Sequence, residues 1–110
     1  MEGLVKGDLV VVPFPFSDLS ASKRRPALVL AVLPGDDLIL CQITSADSAD
    51  QDAVPLSPSD LADGRLTRPG FVRPRRLFTG VKQLALSRLG RLKPEKLRAV
   101  VAKAVEILQR

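Results

Sequence analysis

Residues 26–44 read PALVLAVLPGDDLILCQIT. Two apolar runs, Pro26 to Leu33 and Leu38 to Ile43, flank the turn sequence Pro34-Gly35-Asp36-Asp37. Gly and Asp accept the positive φ that tight turns demand, so the stretch predicts an antiparallel hairpin. Setting Leu33 opposite Leu38 puts Leu28 across from Ile43, Leu30 from Cys41 and Val32 from Ile39. That face is wholly apolar and predicts core, with Cys41 as a packing residue. The other face carries Ala27, Val29 and Ala31 against Thr44, Gln42 and Leu40. Arg25 then lies diagonal to Thr44, within reach of a long side chain. One side of one hairpin thus gathers a guanidinium, a hydroxyl and an amide among small residues. A bulge or a longer turn would change which residues meet.

Outward from the hairpin, Asp8 to Phe14 is β-branched and predicts a strand, followed by a polar connection from Ser17 to Arg24. Ser45 to Gln51 reads as a loop and Ala53-Val54-Pro55-Leu56 as an edge strand, because proline cannot donate to a ladder on both sides. Ser57 to Leu61 predicts a helical turn that Gly64 closes, and Gly70 to Thr79 a further strand. Leu84 to Leu89 fits no single template. From Pro94 the chain predicts a helix: proline suits the first helical position and Glu95 the positive end of the dipole. Leu97, Val100, Val101, Ala104 and Leu108 form its apolar stripe. About five short strands and one terminal helix predict a single domain over residues 1–110, mostly β, built as a small, strongly bent sheet or barrel.

Composition excludes whole classes of chemistry. The 110 residues contain no His, Trp or Tyr and one Cys. A Ser-His-Asp triad, a Cys-His pair, a thiolate zinc cage and an intrachain disulfide are all ruled out. No apolar run approaches the roughly 20 residues of a membrane span, and the start of the chain does not read as a signal peptide, so the expected compartment is the cytoplasm. The net charge is +5, unevenly spread. Residues 1–64 hold four basic and ten acidic side chains, and residues 65–110 thirteen basic and two acidic ones. Eleven of the seventeen cations are Arg, whose planar fork matches phosphate, which suits a polyanionic partner. Stacking on bases must come from Arg planes or from Phe14, Phe16, Phe71 and Phe78, which otherwise read as core.

Several segments, in order, resemble the MazF/PemK family of toxin endoribonucleases. They are Gly7-Asp8-Leu9-Val10, Pro13-Phe14-Pro15-Phe16-Ser17-Asp18-Leu19, Lys23-Arg24-Arg25-Pro26-Ala27-Leu28-Val29-Leu30 and Cys41-Gln42-Ile43-Thr44-Ser45. Val72-Arg73-Pro74 with Leu77-Phe78-Thr79, and Leu89-Gly90-Arg91-Leu92 before the helix, continue the likeness. The resemblance implies an SH3-like barrel with a C-terminal helix, a homodimer, and metal-independent, cofactor-free, sequence-selective cleavage of single-stranded RNA, mostly mRNA. It also implies restraint by a cognate antitoxin, for which the charge map favours an acidic, flexible segment.

Carried over by position, the family's catalytic Arg falls on Arg25 and its catalytic Thr or Ser on Thr44, with Ser45 as the other claimant. The loop Ser17 to Arg24 would border the RNA groove. Ser17, Asp18, Lys23, Arg24, Gln42, Ser45, Arg73 and Arg75 are the expected RNA contacts. Some family members carry an acid two residues after the later-strand Arg; here Arg73 matches that Arg and Arg75 occupies the acid's place. Asp18 is the nearest remaining candidate base. Two other readings share the fold: a gyrase poison of a sister family, whose action rests on an aromatic C-terminal tip that this chain lacks, and a non-catalytic nucleic-acid-binding barrel.

Overall fold

The computed structural model describes residues 1–15, 22–45 and 49–110. Among the described residues seven strands form one antiparallel sheet: β1 Asp8–Pro15, β2 Ser22–Val32, β3 Asp37–Thr44, β4 Val54–Leu56, β5 Leu61–Gly64, β6 Gly70–Val81 and β7 Ser87–Leu92. Their order is β4-β6-β3-β2-β1-β7-β5, and helix α1, Pro94–Leu108, follows. The sheet curls into a small SH3-like barrel, as expected. β4 lies at an edge, where Pro55 is tolerated.

The strand count exceeds the expectation because two short segments pair where their own patterns are weak. Leu61–Gly64 buries only its leucine, and Ser87–Leu92 is broken by Gly90. They pair because Gly64 faces Gly90. A Cβ on either glycine would collide with the opposite backbone, and Gly64 also holds a positive φ of 85°. Lys23 and Arg24, expected in a loop, lie in β2 opposite Phe14 and Pro13.

The central hairpin forms with a different register. Leu28 faces Cys41, not Ile43, and Ala27 faces Gln42; nearer the turn Ala31 faces Ile39 and Val32 faces Leu38. Two local features cause the change. Leu33 N–H donates to the Asp37 carbonyl (3.0 Å), which tightens the turn, and the pairing slips between Val29 and Ala31. Together they shift the register by two residues. From Val29 to the open end the shift of two residues preserves the faces although the partners change; nearer the turn the shift is one residue, so Val32, expected in the core opposite Ile39, faces Leu38 and is exposed.

Each face serves its own core. Leu28, Leu30, Cys41 and Ile43 pack with Leu9, Leu56, Val72, Leu92 and Val100 of the helix. Ala27, Val29, Leu38 and Leu40 pack with Val10, Val12, Leu4 and Ala85. Burying each such Leu or Val stabilises by roughly 1.5–3 kcal/mol. Left uncovered, this second face would offer its small apolar residues to a second copy, but Ala27, Val29 and Leu40 are fully buried inside one chain. Their cover is the N-terminal segment, Ala85 and Phe78, and not the helix.

The helix buries Val100 and Ala104, while Leu97 and Val101 are half-buried. Leu108 is 73% exposed, so the last turn departs from the expected stripe. Ion pairs hold that turn instead, as described below. Among the described residues no helix is long and apolar enough to cross a membrane.

One polar group sits within the barrel's seam. Asp8 is fully buried and accepts hydrogen bonds from Val5 N–H (2.8 Å), Arg88 Nε (3.0 Å) and Arg91 Nε (3.0 Å). Arg88 also reaches Asp63 (2.7 Å), so the cluster ties β1, β7 and β5 together. Burial alone would raise the Asp8 pKa, but these donors outweigh it and hold the carboxyl below its ordinary range. Asp8→Ala removes the acceptor shared by three donors. It is expected to cost about 2–4 kcal/mol, read as a lower urea midpoint with an unchanged m-value.

Candidate active site

A strand pair buried on both faces can place polar side chains only where the cover ends. That point is the start of β2 and the end of β3. Ala27 faces Gln42, and two residues further along each strand the same count brings Arg25 level with Thr44. On the far side of β3, Gln42 faces Arg73 and Thr44 faces Phe71. Arg25, Gln42, Thr44, Phe71 and Arg73 therefore share one side of the sheet.

Arg25, Gln42 and Thr44 are half-buried, and Arg25 Nε is itself buried. Gln42 Oε1 is also buried and accepts no hydrogen bond among the described residues. A buried acceptor left open in this way favours a donor brought by a ligand. Gly70, the first residue of β6, lies so close to Thr44 that a Cβ there would strike the Thr44 carbonyl. The missing side chain lets the segment before β6 fold against the site.

Arg25 and Thr44 line one cleft of about 390 Å³. Arg24, Arg65 and Arg68 line it too, with Ser45 and Thr67. The rest of its lining is apolar, Pro26, Ile43, Leu56, Leu66 and Leu89; Ile43 and Leu56 belong to the first core, so the cleft opens on the side of the sheet opposite Ala27 and Gln42, and Arg25 and Thr44 border it at the sheet's end. No carboxylate lines it among the described residues. Arg65, Thr67 and Arg68 were not singled out from the sequence. They belong to the basic second half, but no local pattern tells where residues 65–70 fold.

The other expected contacts are differently placed. Lys23, Arg24 and Ser45 are exposed. Arg73 Nε donates to Asp50 (3.2 Å), and Arg75 Nε to Asp52 (2.7 Å), with Asp50 a further 3.2 Å contact. An RNA phosphate at either guanidinium would compete with these carboxylates. Ser17, Asp18 and Phe16 lie outside the described residues. Phe78 packs against the second core, and half-buried Phe71 lines a neighbouring cleft. Cys41 is buried, and burial pushes its thiol up to about 12, so it is no thiolate at neutral pH.

Asp52 is the hub of the ion pairs. Arg110 grips it with two nitrogens (2.9 and 2.7 Å), beside Arg75, and Lys103 stands 4.0 Å away. The end of α1 and the middle of β6 are thus fastened to the segment that follows Thr44. The bonds from Arg110 and then Arg75 hold the Asp52 carboxyl well below the usual carboxylate range. A lowered folded pKa contributes stability above the unfolded value, about 3.9, and loses it as pH falls further. Asp52→Asn is therefore expected to be less stable than the parent at pH 7. Denaturant titrations at descending pH should show that gap closing below about pH 4.

Solved structures share this fold. A chain of the MazE–MazF complex from Deinococcus radiodurans superposes with a TM-score of 0.76 at 22% identity, covering 96% of each chain. An endoribonuclease from a mycobacterial species superposes at 0.75 with 16% identity, over 99% of this chain and 94% of the other. A second mycobacterial endoribonuclease, solved in complex with its cognate antitoxin, superposes at 0.76 with 17% identity, over 97% and 96%. At these identities the likeness is one of fold. A search of curated proteins returns no match. Sequence supplies the assignment: residues 5–108 match the model for PemK-like, MazF-like toxins, and the chain belongs to that family of type II toxin–antitoxin proteins.

Proposed function

We propose that this chain is the toxin of a type II toxin–antitoxin pair and cleaves single-stranded RNA, chiefly mRNA, without a metal, at a site built on Arg25 and Thr44. The observation that carries the reading is that Arg25 and Thr44, in a chain of this family, border one cationic cleft that no carboxylate lines among the described residues. The ribose 2′-oxygen attacks the adjacent phosphorus, the bond from phosphorus to the 5′-oxygen breaks, and a 2′,3′-cyclic phosphate and a 5′-hydroxyl result. Negative charge gathers on the phosphoryl oxygens in the transition state. A fixed guanidinium aimed there stabilises it by roughly 3–4 kcal/mol in comparable sites, and a neutral hydroxyl by less.

Proton transfer has no dedicated carboxylate in this reading. Arg25 serves as a charge, since a guanidinium is a donor and not a base in proteins. Asp50 is engaged by Arg73 and Arg75. The 2′-hydroxyl proton passes to solvent, and the 5′-oxygen takes one from solvent. Gln42 Oε1 accepts from the substrate, and Lys23, Arg24 and Ser45 meet its backbone. Arg73 and Arg75 take part only where RNA displaces a carboxylate.

The same reading includes a cytoplasmic homodimer and an acidic antitoxin segment that occupies the cationic cleft. Val81, Leu84 and Leu86, close in sequence and 37%, 40% and 47% exposed, supply apolar surface for a second copy. Light scattering at micromolar concentration is expected to give twice the 11.9 kDa chain mass; the single-chain mass would remove the dimer.

Arg25→Ala is expected to lower RNA cleavage in the presence of EDTA by about 10²-fold or more, with the urea midpoint unchanged. Thr44→Val should lose less, about tenfold, because one donor goes and the shape stays. Full activity in a folded Arg25→Ala protein would overturn the site; full activity in Thr44→Val would move the hydroxyl's role to Ser45.

A further inference from the structure

Two acids of the segment between β3 and β4 are nearly out of water: the side chains of Asp50 and Asp52 are 2% and 6% exposed. They reach across to β6 at a bulge. Gln42 faces Arg73 while its neighbour Cys41 faces Leu77, so residues 74–76 stand outside the ladder with β3. Cys41 Sγ donates to the Arg73 carbonyl (3.1 Å) and Pro74 is fully buried, which anchors the bulge. Asp50 takes Arg73 Nε and Arg75 Nε, each at 3.2 Å, and Asp52 takes Arg75 Nε at 2.7 Å. Arg73 lies on the side of the sheet that carries Arg25, Gln42 and Thr44.

This attachment is one that an outside anion can exchange. Arg73 and Arg75 are each held through Nε, and Arg75 is exposed. Neither carboxylate depends on Arg75. Asp52 keeps two nitrogens of Arg110 (2.9 and 2.7 Å), and Asp50 keeps Arg73 and the Asp52 N–H (2.9 Å). Surrendering Arg75 therefore leaves no buried charge bare, which is what makes breaking most buried pairs costly.

We propose that Asp50 and Asp52 are specificity-determining residues, an internal countercharge that occupies Arg73 and Arg75 until a strand seated at Arg25 and Thr44 brings phosphates to replace it. The inference rests on the ribonuclease reading and adds a control which that reading lacks. A passing polyanion must displace a carboxylate for each phosphate it places there, so it gains little. A strand already held at Arg25 presents its neighbouring phosphates at high effective concentration, and the exchange goes forward. The chain then discriminates by opposing the wrong ligand as well as by gripping the right one.

The test measures binding of a labelled, randomised 12-nucleotide 2′-O-methyl RNA, which lacks the attacking hydroxyl and stays intact. Asp50→Asn with Asp52→Asn keeps an acceptor oxygen at each position and removes both negative charges. This variant should bind about tenfold more tightly at about 0.1 M salt, and its log–log salt dependence should steepen by about 1.4, the gain of two phosphate contacts. Asp36→Asn with Asp37→Asn, exposed residues at the hairpin's turn, changes net charge equally and should do neither. Adding Arg73→Gln and Arg75→Gln to the first variant should abolish the gain. Each variant is first titrated with urea. Asp50→Asn alone, which leaves the bonds between Asp52 and Arg110 in place, should show a smaller gain of the same sign. On total RNA, mapped ends should fall at more sequences for the Asn variants than for the parent. Unchanged or weaker binding by folded Asn variants overturns the countercharge. So does an equal gain in the Asp36 and Asp37 control, a gain that survives loss of both arginines, or an unchanged set of cut sites. Tighter binding in this pattern with no cleavage by any protein, the parent included, would instead overturn the ribonuclease reading and leave the countercharge as a control on binding.

Discussion

The β2–β3 hairpin is buried on both faces, and that constraint governs the rest of the molecule. Along most of its length, every side chain must be apolar or small, because a polar group there would lose its water without a partner. The N-terminal segment covers one face and the helix the other, so polar chemistry is displaced to the hairpin's open end. Arg25, Gln42 and Thr44 occur where the cover stops. The same two-sided packing makes a small barrel a stiff support for a site, since neither strand can slip by one residue without exchanging its two cores.

Charge is allocated as strictly as apolar surface. Asp8 gathers Arg88 and Arg91 at the seam, and Asp50 and Asp52 gather Arg73, Arg75 and Arg110 behind the site. Such pairs add modest stability where they are exposed, but they fix where guanidinium groups are not available. Of the arginines left over, Arg24, Arg65 and Arg68 line one cleft. The basic second half of the chain is therefore a structural framework as much as an electrostatic surface.

Much of this was legible before the fold was known. The hairpin, the edge position of Pro55 and the start of the helix at Pro94 follow from turn chemistry, missing donors and dipole preference. The pairing of Arg25 with Thr44 survived a mistaken register, because an error of two residues keeps a side chain on its face. The bulge near Leu30 was not legible, since nothing in an unbroken apolar run marks it. β5 and β7 were missed because their pairing depends on two glycines meeting across strands, a long-range fact. Arg65 and Arg68 were hidden for the same reason: their place in the cleft comes from where Gly70 brings their loop. Ala27 and Val29 read as small residues around a polar site, and only the cover by Leu4 and Ala85 shows that their face is closed within the chain.

The central claim is that fixed positive charge at Arg25, without a metal, drives attack by the RNA's own 2′-hydroxyl. The most direct measurement is the chemistry of the ends. Protein treated with EDTA would be mixed with a defined single-stranded RNA, and the fragments read by mass spectrometry. The account predicts 2′,3′-cyclic phosphate on one fragment and a 5′-hydroxyl on the other. Fragments with a 5′-phosphate and a 3′-hydroxyl would contradict it, because they require attack by water in place of the ribose oxygen.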